Sequence, residues 1–259
     1  MDKPFAGKTI AITGAAGGIG QWLCRFFGEQ GATIAALDRS DKVLDLPHKL
    51  GADGISVKAA VADVDDAPAV TAAFAGFGDV HVLINNAGGS RHPLIATTDP
   101  AGWEEEIGAN LNGAYTCVHA VLPQMVARRG GNIVNIGSVN GLAALGDAAY
   151  SAAKAGLISL TRSIAQEYGR YGIRANIVLP GTVRTPVWDE RRAKDPNVLK
   201  TLERWYALGR IVEPEEIARV VAFLASDHAS AVTGAAIPVD CGLMSGNIVM
   251  ARELTVENF

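Results

Sequence analysis

The stretch Lys8–Gly20, K-T-I-A-I-T-G-A-A-G-G-I-G, decides the fold. Its first six residues form an apolar run that stops at a glycine cluster, as a buried parallel strand would. Behind the glycines, Ile19, Trp22, Leu23, Phe26 and Phe27 recur at the spacing of a helix with one buried face. Gly14, Gly18 and Gly20 therefore lie between a strand and a helix. Glycine there lets the backbone turn tightly and approach a pyrophosphate, whose charge the helix amino terminus favours. The spacing, G-x-x-x-G-x-G, is not the commoner G-x-G-x-x-G, and alone it equally describes a tight strand-to-helix turn.

The same alternation repeats downstream. A second strand, Thr33–Leu37, ends on Asp38, about twenty residues beyond the loop, where a carboxylate can bond adenosine ribose hydroxyls and repel a 2′-phosphate. Arg39 follows it and could meet such a phosphate, while Asp38-Arg39-Ser40 also suits an ordinary polar turn. Strand Ser56–Ala62 delivers Asp63 and Val64, a side chain and an amide able to face an adenine. A short helix, Ala67–Phe74, leads to strand Val80–Ile84, closed by Asn85-Asn86-Ala87-Gly88-Gly89, which either approaches a ligand or simply turns. Arg91 and His92 come next, as substrate-facing residues or as a solvated loop.

From Trp103 to Val126, Ile107, Leu111, Tyr115, Val118, Leu122 and Met125 mark one long helix. Ala109, Ala114, Cys117 and Val121 widen its apolar surface, so a second subunit is an expected neighbour. Asn110 and Asn112 are its polar exceptions, and at least one needs a partner. Strand Asn132–Ile136 then carries Ser138, and strand Ile173–Leu179 is stopped by Pro180-Gly181, with Thr182, Val183 and Thr185 at the rim. The charged region Val187–Val212, with Trp188, Trp205 and Tyr206, is expected to be a flexible flap in which Val198, Leu199, Leu202, Trp205 and Tyr206 share a helical face. A Pro214 helix, a last strand Ala235–Val239 and a tail, Leu243–Phe259, complete the chain.

Composition bounds the function. With 49% hydrophobic and 19% charged residues among 259, the chain is no disordered protein, and without repeats or linkers residues 1–259 form one domain. A net charge of -4 without a basic stripe argues against nucleic acid. Cys24, Cys117 and Cys241 suggest a reducing compartment, and neither they nor the five histidines show metal-ligand spacing, so no metal is expected. No signal peptide or membrane span is expected, and a cytoplasmic location follows.

The segment Gly137–Gly156, G-S-V-N-G-L-A-A-L-G-D-A-A-Y-S-A-A-K-A-G, sets Ser138 near Tyr150 and Lys154, which stand one helical turn apart. An ammonium beside a phenol favours the phenolate. An alanine-rich helix with Tyr and Lys on its surface explains this segment equally well. What separates the two readings is position: the glycine loop, Asp38, Asp63, Asn85-Asn86, Ser138 and Pro180-Gly181 each follow a strand. In an open parallel α/β sheet those ends share one rim, where ligands bind.

Over Lys8–Gly242 the chain resembles the classical short-chain dehydrogenase/reductases. The matches are T-G-A-A-G-G-I-G at Thr13–Gly20, N-N-A-G at Asn85–Gly88, N-L-N-G at Asn110–Gly113, G-S at Gly137–Ser138, Y-S-A-A-K at Tyr150–Lys154 and P-G-T-V-R-T at Pro180–Thr185. The resemblance implies a single Rossmann-type doubly wound α/β domain, a parallel sheet of about seven strands with helices on both faces, and a homotetramer or homodimer, the tetramer favoured. It makes Tyr150 the general acid/base, Ser138 the holder of the substrate oxygen, Lys154 the ribose ligand that lowers the tyrosine pKa, and Asn110 the support of a water. Gly14, Gly18, Ile19 and Gly20 would hold the pyrophosphate, Asp38 the ribose, Asp63 and Val64 the adenine, and Asn86 and Ala87 the adenosine-side rim. Pro180, Gly181, Val183 and Thr185 would border the carboxamide. One departure is Asp240-Cys241-Gly242, where the family carries D-G-G.

The sequence thus predicts an NAD-dependent oxidoreductase for a secondary alcohol or its ketone, polyol or sugar-like in view of Arg91, His92, Asn140 and Trp188. NADP is the lesser candidate cofactor. An NADPH-dependent 3-oxoacyl-type ketoreductase and a non-catalytic dinucleotide sensor are the alternatives.

Overall fold

The computed structural model describes residues 3–257. Seven strands, β1 (Thr9–Thr13), β2 (Thr33–Asp38), β3 (Val57–Val61), β4 (Val82–Asn85), β5 (Gly131–Ile136), β6 (Ile173–Pro180) and β7 (Ala236–Val239), form one sheet. All pairings are parallel and the order is β3-β2-β1-β4-β5-β6-β7. The order reverses between β1 and β4, so their carboxyl ends part at a switch point, the crevice in which such sheets take ligands. This is the single Rossmann-type domain that the family resemblance implied.

Strand side chains alternate between two cores, as the two-residue period requires. Ile10, Ile12, Val82, Ile84 and Val134 face helices α1 (Gly18–Glu29) and α9 (Pro214–Ala225), joining Leu23, Phe27, Ile217 and Val221. Ala11, Leu83 and Ile133 face the opposite side, where α3 (Ala67–Phe77) and α5 (Gly113–Arg128) supply Val70, Phe74, Cys117 and Val121. Ile164 of α6 (Ala148–Tyr168) belongs to that second core. The short α2 (Leu46–Gly51) covers one edge through Leu46 and Leu50.

The long helix expected over Trp103–Val126 is interrupted. It begins as α4 (Pro100–Ile107), capped by Asp99, whose carboxylate accepts from Gly102 N at 2.8 Å. It then widens into a π-turn at Gly108–Asn112 before continuing as α5. Asn110 holds the widened turn: its Nδ2 donates to Gly89 O at 2.9 Å and to Glu106 O at 3.0 Å, while its Oδ1 accepts from Gly89 N at 3.0 Å. A side chain that bonds across to another strand end thus reshapes its own helix, a frequent cause of π-turns at functional sites.

The region 187–212 holds two short helices, α7 (Asp189–Lys194) and α8 (Val198–Glu203); α8 carries Val198, Leu199 and Leu202 of the expected face and ends before Trp205 and Tyr206. Asp195 lies in extended backbone and its Oδ1 accepts from Asn197 N, an Asx turn that ends α7. Tyr206 is buried with Leu199 and Ile211, and its hydroxyl accepts from Thr182 N at 2.9 Å, fastening the base of this region to the end of β6. Beyond β7, Cys241 adopts φ 51, the left-handed conformation that glycine would take without penalty. Asp240 stabilises that turn by accepting from Gly242 N and Met244 N. The tail then forms α10 (Ile248–Thr255); its last two residues, 258 and 259, lie outside the described residues.

Candidate active site

A cavity of about 1210 Å³ opens along the carboxyl ends of the strands. At its floor, Gly14 takes φ 63 and α1 starts behind Gly17, with no acidic side chain in its first turn and no side-chain cap. The first N–H groups of α1 are therefore left for a ligand anion. A Cβ on Gly18 would lie 2.8 Å from Thr185 Cβ, and one on Gly14 would lie 2.8 Å from Ala87 Cα. Gly20 does not line the cavity; it packs under the loop, where a Cβ would collide with Gly14 O and sit 2.9 Å from Ala15 Cα. Gly20→Ala should therefore destabilise the fold by about 2 kcal/mol or more, read as a lower thermal unfolding midpoint.

Thr13 closes the switch point. Its buried hydroxyl accepts from Asn86 N at 3.0 Å and Ala87 N at 2.9 Å, and Asn86 Nδ2 donates back to Thr13 O and Gly14 O. Asn85 turns the other way, donating to Asn135 Oδ1 at 2.8 Å, and Asn135 donates to Thr161. That buried chain ties β4, β5 and α6 together. At the end of β2, Asp38 Oδ2 accepts from Ala16 N and Oδ1 from Ser40 N, both at 2.9 Å. Arg39 reaches towards Asp63, 4.0 Å away. Asp63, Val64, Asn86, Ala87, Ile19, Pro180, Gly181, Val183 and Thr185 all line the same cavity. Bare helix N–H groups, a ribose-height carboxylate and close glycine approach fit an elongated dinucleotide.

Ser138, Tyr150 and Lys154 meet in this cavity's wall. Ser138 Oγ accepts from Asn140 N at 3.1 Å, and Asn140 Nδ2 donates to Ser151 Oγ at 3.2 Å and Gly146 O at 3.3 Å, so the loop before α6 is braced on its first turn. Gly141 permits this approach, because a Cβ there would lie 2.9 Å from the Lys154 backbone. Lys154 is buried, its Nζ donates to Ile136 O at 2.9 Å, and it lies 5.5 Å from the Tyr150 ring centroid. Burial pulls the lysine's pKa down to about 8, opposed by Glu106.

Burial also pushes the Tyr150 phenol up; the neighbouring Ser138 hydroxyl pulls it back, and Asp147 and Glu106 raise it further. This departs from the sequence expectation of a lowered tyrosine pKa. Desolvation of the phenolate is the largest cause.

Other site residues are dispersed. Arg91 lines the cavity with its guanidinium paired to Glu105, and Trp188 and Asn140 also line it. His92 and Asn110 lie outside the lining, His92 beside Gly102 and Asn110 buried behind Gly89. Sequence reasoning missed Glu106, a buried carboxylate one turn before Asn110 in the wall, and Leu243, Met244 and Asn247 of the tail, which also reach the cavity. The first was signalled by a charge on the same stripe as Asn110, Cys117 and Val121.

A Rossmann-type sheet with a glycine-floored cavity and a Ser-Tyr-Lys wall defines a dinucleotide-dependent oxidoreductase. The family model described as enoyl-(acyl carrier protein) reductase matches residues 14–244. An uncharacterized oxidoreductase, C922.06, of Schizosaccharomyces pombe is 41% identical, over 97% of this chain and 96% of that protein. A crystal structure of a Burkholderia thailandensis oxidoreductase of the short-chain dehydrogenase/reductase family is 49% identical, with a TM-score of 0.93 over 97% of this chain and 98% of that one. A gluconate 5-dehydrogenase from Burkholderia cenocepacia, solved with NADP and tartrate, is 32% identical, with a TM-score of 0.89 over 95% of this chain and 98% of that one. The chain belongs to the short-chain dehydrogenase/reductase family.

Proposed function

We propose that this chain interconverts a secondary alcohol and its ketone with NAD, using Tyr150 as general acid/base. The observation that carries this reading is the convergence of Ser138, Tyr150 and Lys154 in the wall of the glycine-floored cavity. When bound, NAD supplies the hydride acceptor or donor. In oxidation the Tyr150 oxygen takes the hydroxyl proton, and in reduction it returns one. Ser138 holds the substrate oxygen within reach of that phenol. Lys154, fixed by Ile136, offers a positive charge that favours phenolate and would bond a ribose hydroxyl of the cofactor. Asn110 acts from behind, through Gly89 and Glu106.

Asp38 supports NAD over NADP, since its carboxylate is locked by Ala16 and Ser40 at the cavity rim and would oppose a 2′-phosphate. Asp38→Ala should weaken NAD about tenfold, the scale of a lost bond to a charged group, and leave NADP unchanged or tighter, read by fluorescence titration. Exposed Arg39 beside it favours the second reading, an NADPH-dependent 3-oxoacyl-type ketoreductase. Tighter binding of NADP than NAD by the unaltered protein would select that reading.

Asn140, Arg91 and Trp188 support a polyol or sugar-like substrate, and a relative named for gluconate agrees with that class. Screening secondary alcohols and ketones for a change in nicotinamide absorbance tests the activity, and no turnover with either cofactor would refute it. We also assign the chain to the cytoplasm, with its three cysteines free, and to a homo-oligomer, with the tetramer favoured. Exposed Trp103 and Tyr115 on α4 and α5 support the oligomer, and light scattering measures its size.

A further inference from the structure

In the reaction described above Glu106 enters only as a partner of Asn110, yet it is 3% exposed and faces the catalytic wall. Its Oε1 accepts from Arg91 N and from His92 N, the latter at 3.2 Å, and its Oε2 accepts from Asn110 Nδ2 at 3.1 Å. All three contacts point a donor at the carboxyl group. An ionised carboxylate, which only accepts, satisfies them all, whereas a protonated acid must direct its own hydrogen elsewhere. The neighbouring charges are mostly committed. Arg91 is paired with Glu105, and His92 Nε2 lies 3.6 Å from the same Glu105. Across the cavity wall stand Asp147, Tyr150 and Lys154.

We propose that Glu106 is a positioning residue for catalysis: one buried carboxylate fixes Asn110 and the Gly89–His92 wall and supplies the negative charge that supports the buried Lys154 ammonium. The proposal rests on the reading of Tyr150 and Lys154 as the acid/base pair. Two consequences follow from a single charge. The same carboxylate that favours protonated Lys154 also disfavours the Tyr150 phenolate, so it holds both protons on the site. Burial pushes the Glu106 carboxyl up, while the His92 N–H bond pulls it back towards the ionised form.

Glu106→Gln keeps the volume and removes the charge. Both groups should then lose protons more readily, so the Tyr150 titration should move to lower pH by about one unit, the scale of one nearby charge. The measurement is tyrosinate absorbance against pH, with Tyr150→Phe subtracted to isolate Tyr150. It requires no substrate: absence of turnover in the unaltered protein would defeat the proposed activity and leave this titration decisive on its own. In active enzyme, both limbs of the pH profile of kcat/KM should move together towards acid. Glu106→Asp, which keeps the charge on a shorter arm, should titrate where the unaltered protein does. A Glu106→Gln protein whose Tyr150 titration and pH profile stay in place would reduce Glu106 to a packing role and overturn the proposal. If Glu106→Gln does not fold, Glu106→Met, which also removes the charge at similar volume, decides: an acid shift of the Tyr150 titration supports the charge role, and an unmoved titration overturns it.

Discussion

Tyr150→Phe is expected to lower kcat/KM by about 10³-fold while dinucleotide affinity stays within about twofold, because general acid/base catalysis contributes on that scale. The substitution removes one oxygen from a ring whose centroid lies 5.5 Å from Lys154 Nζ, leaving the helix and its buried neighbours Ala149 and Ala153 in place. The hydroxyl of Ser138 cannot take over, since an alcohol has no accessible proton-accepting anion near neutrality and this one is already bonded to Asn140. The cofactor surface proposed above, by contrast, is the cavity lining at Gly14, Gly18, Asp38 and the strand ends, which the substitution does not touch. Steady-state rates with the best substrate from the alcohol and ketone screen, paired with fluorescence titration of NAD, separate the two effects. Turnover within about tenfold of the unaltered protein would remove Tyr150 from the mechanism.

The fold was largely legible because each strand is an apolar run ended by a glycine or polar residue, and parallel strands buried on both faces need little else. The glycine loop, Asp38 and Ser138 could be assigned to one rim without coordinates, since right-handed crossovers send every strand end to the same side. What resisted was whatever depends on side chains meeting across the chain. The π-turn at Gly108–Asn112 exists because Asn110 bonds Gly89, twenty-one residues away, and no local periodicity carries that information. Glu106 did carry a local signal, its place on the stripe of Asn110, Cys117 and Val121, but a glutamate reads as a solvated residue until the loop that covers it is in place. Arg91 was legible as a residue beside the cavity, but not that its guanidinium is paired there with Glu105. The apolar pattern from Val198 to Tyr206 runs past the helix it marks: α8 ends at Glu203, and Trp205 and Tyr206 follow in turns fastened by the bond between Tyr206 and Thr182.

Lys154→Met should make the protein more stable and nearly inactive, and both changes follow from one buried ammonium. Lys154 is 4% exposed, and its pKa in the folded chain is about 8, whereas an unfolded lysine titrates at about 10.4. The folded state therefore disfavours the charged form. That penalty is fully present below about pH 8 and disappears as the pH rises through about 10.4, because above it lysine is neutral in both states. The difference in pKa corresponds to about 3 kcal/mol, from which the lost bond to Ile136 O subtracts about 1. Methionine fills a similar volume without a charge, so a gain of about 2 kcal/mol at pH 7 is expected, shrinking as the pH approaches 10. Urea unfolding of both proteins without cofactor at the two pH values measures it; a Met variant less stable at pH 7 would show that the ammonium is better solvated than its burial implies. Turnover should fall by about 10²-fold or more, since the phenolate loses its neighbouring charge. The buried lysine is then a case of stability held below its attainable value at the residue where chemistry requires a charge.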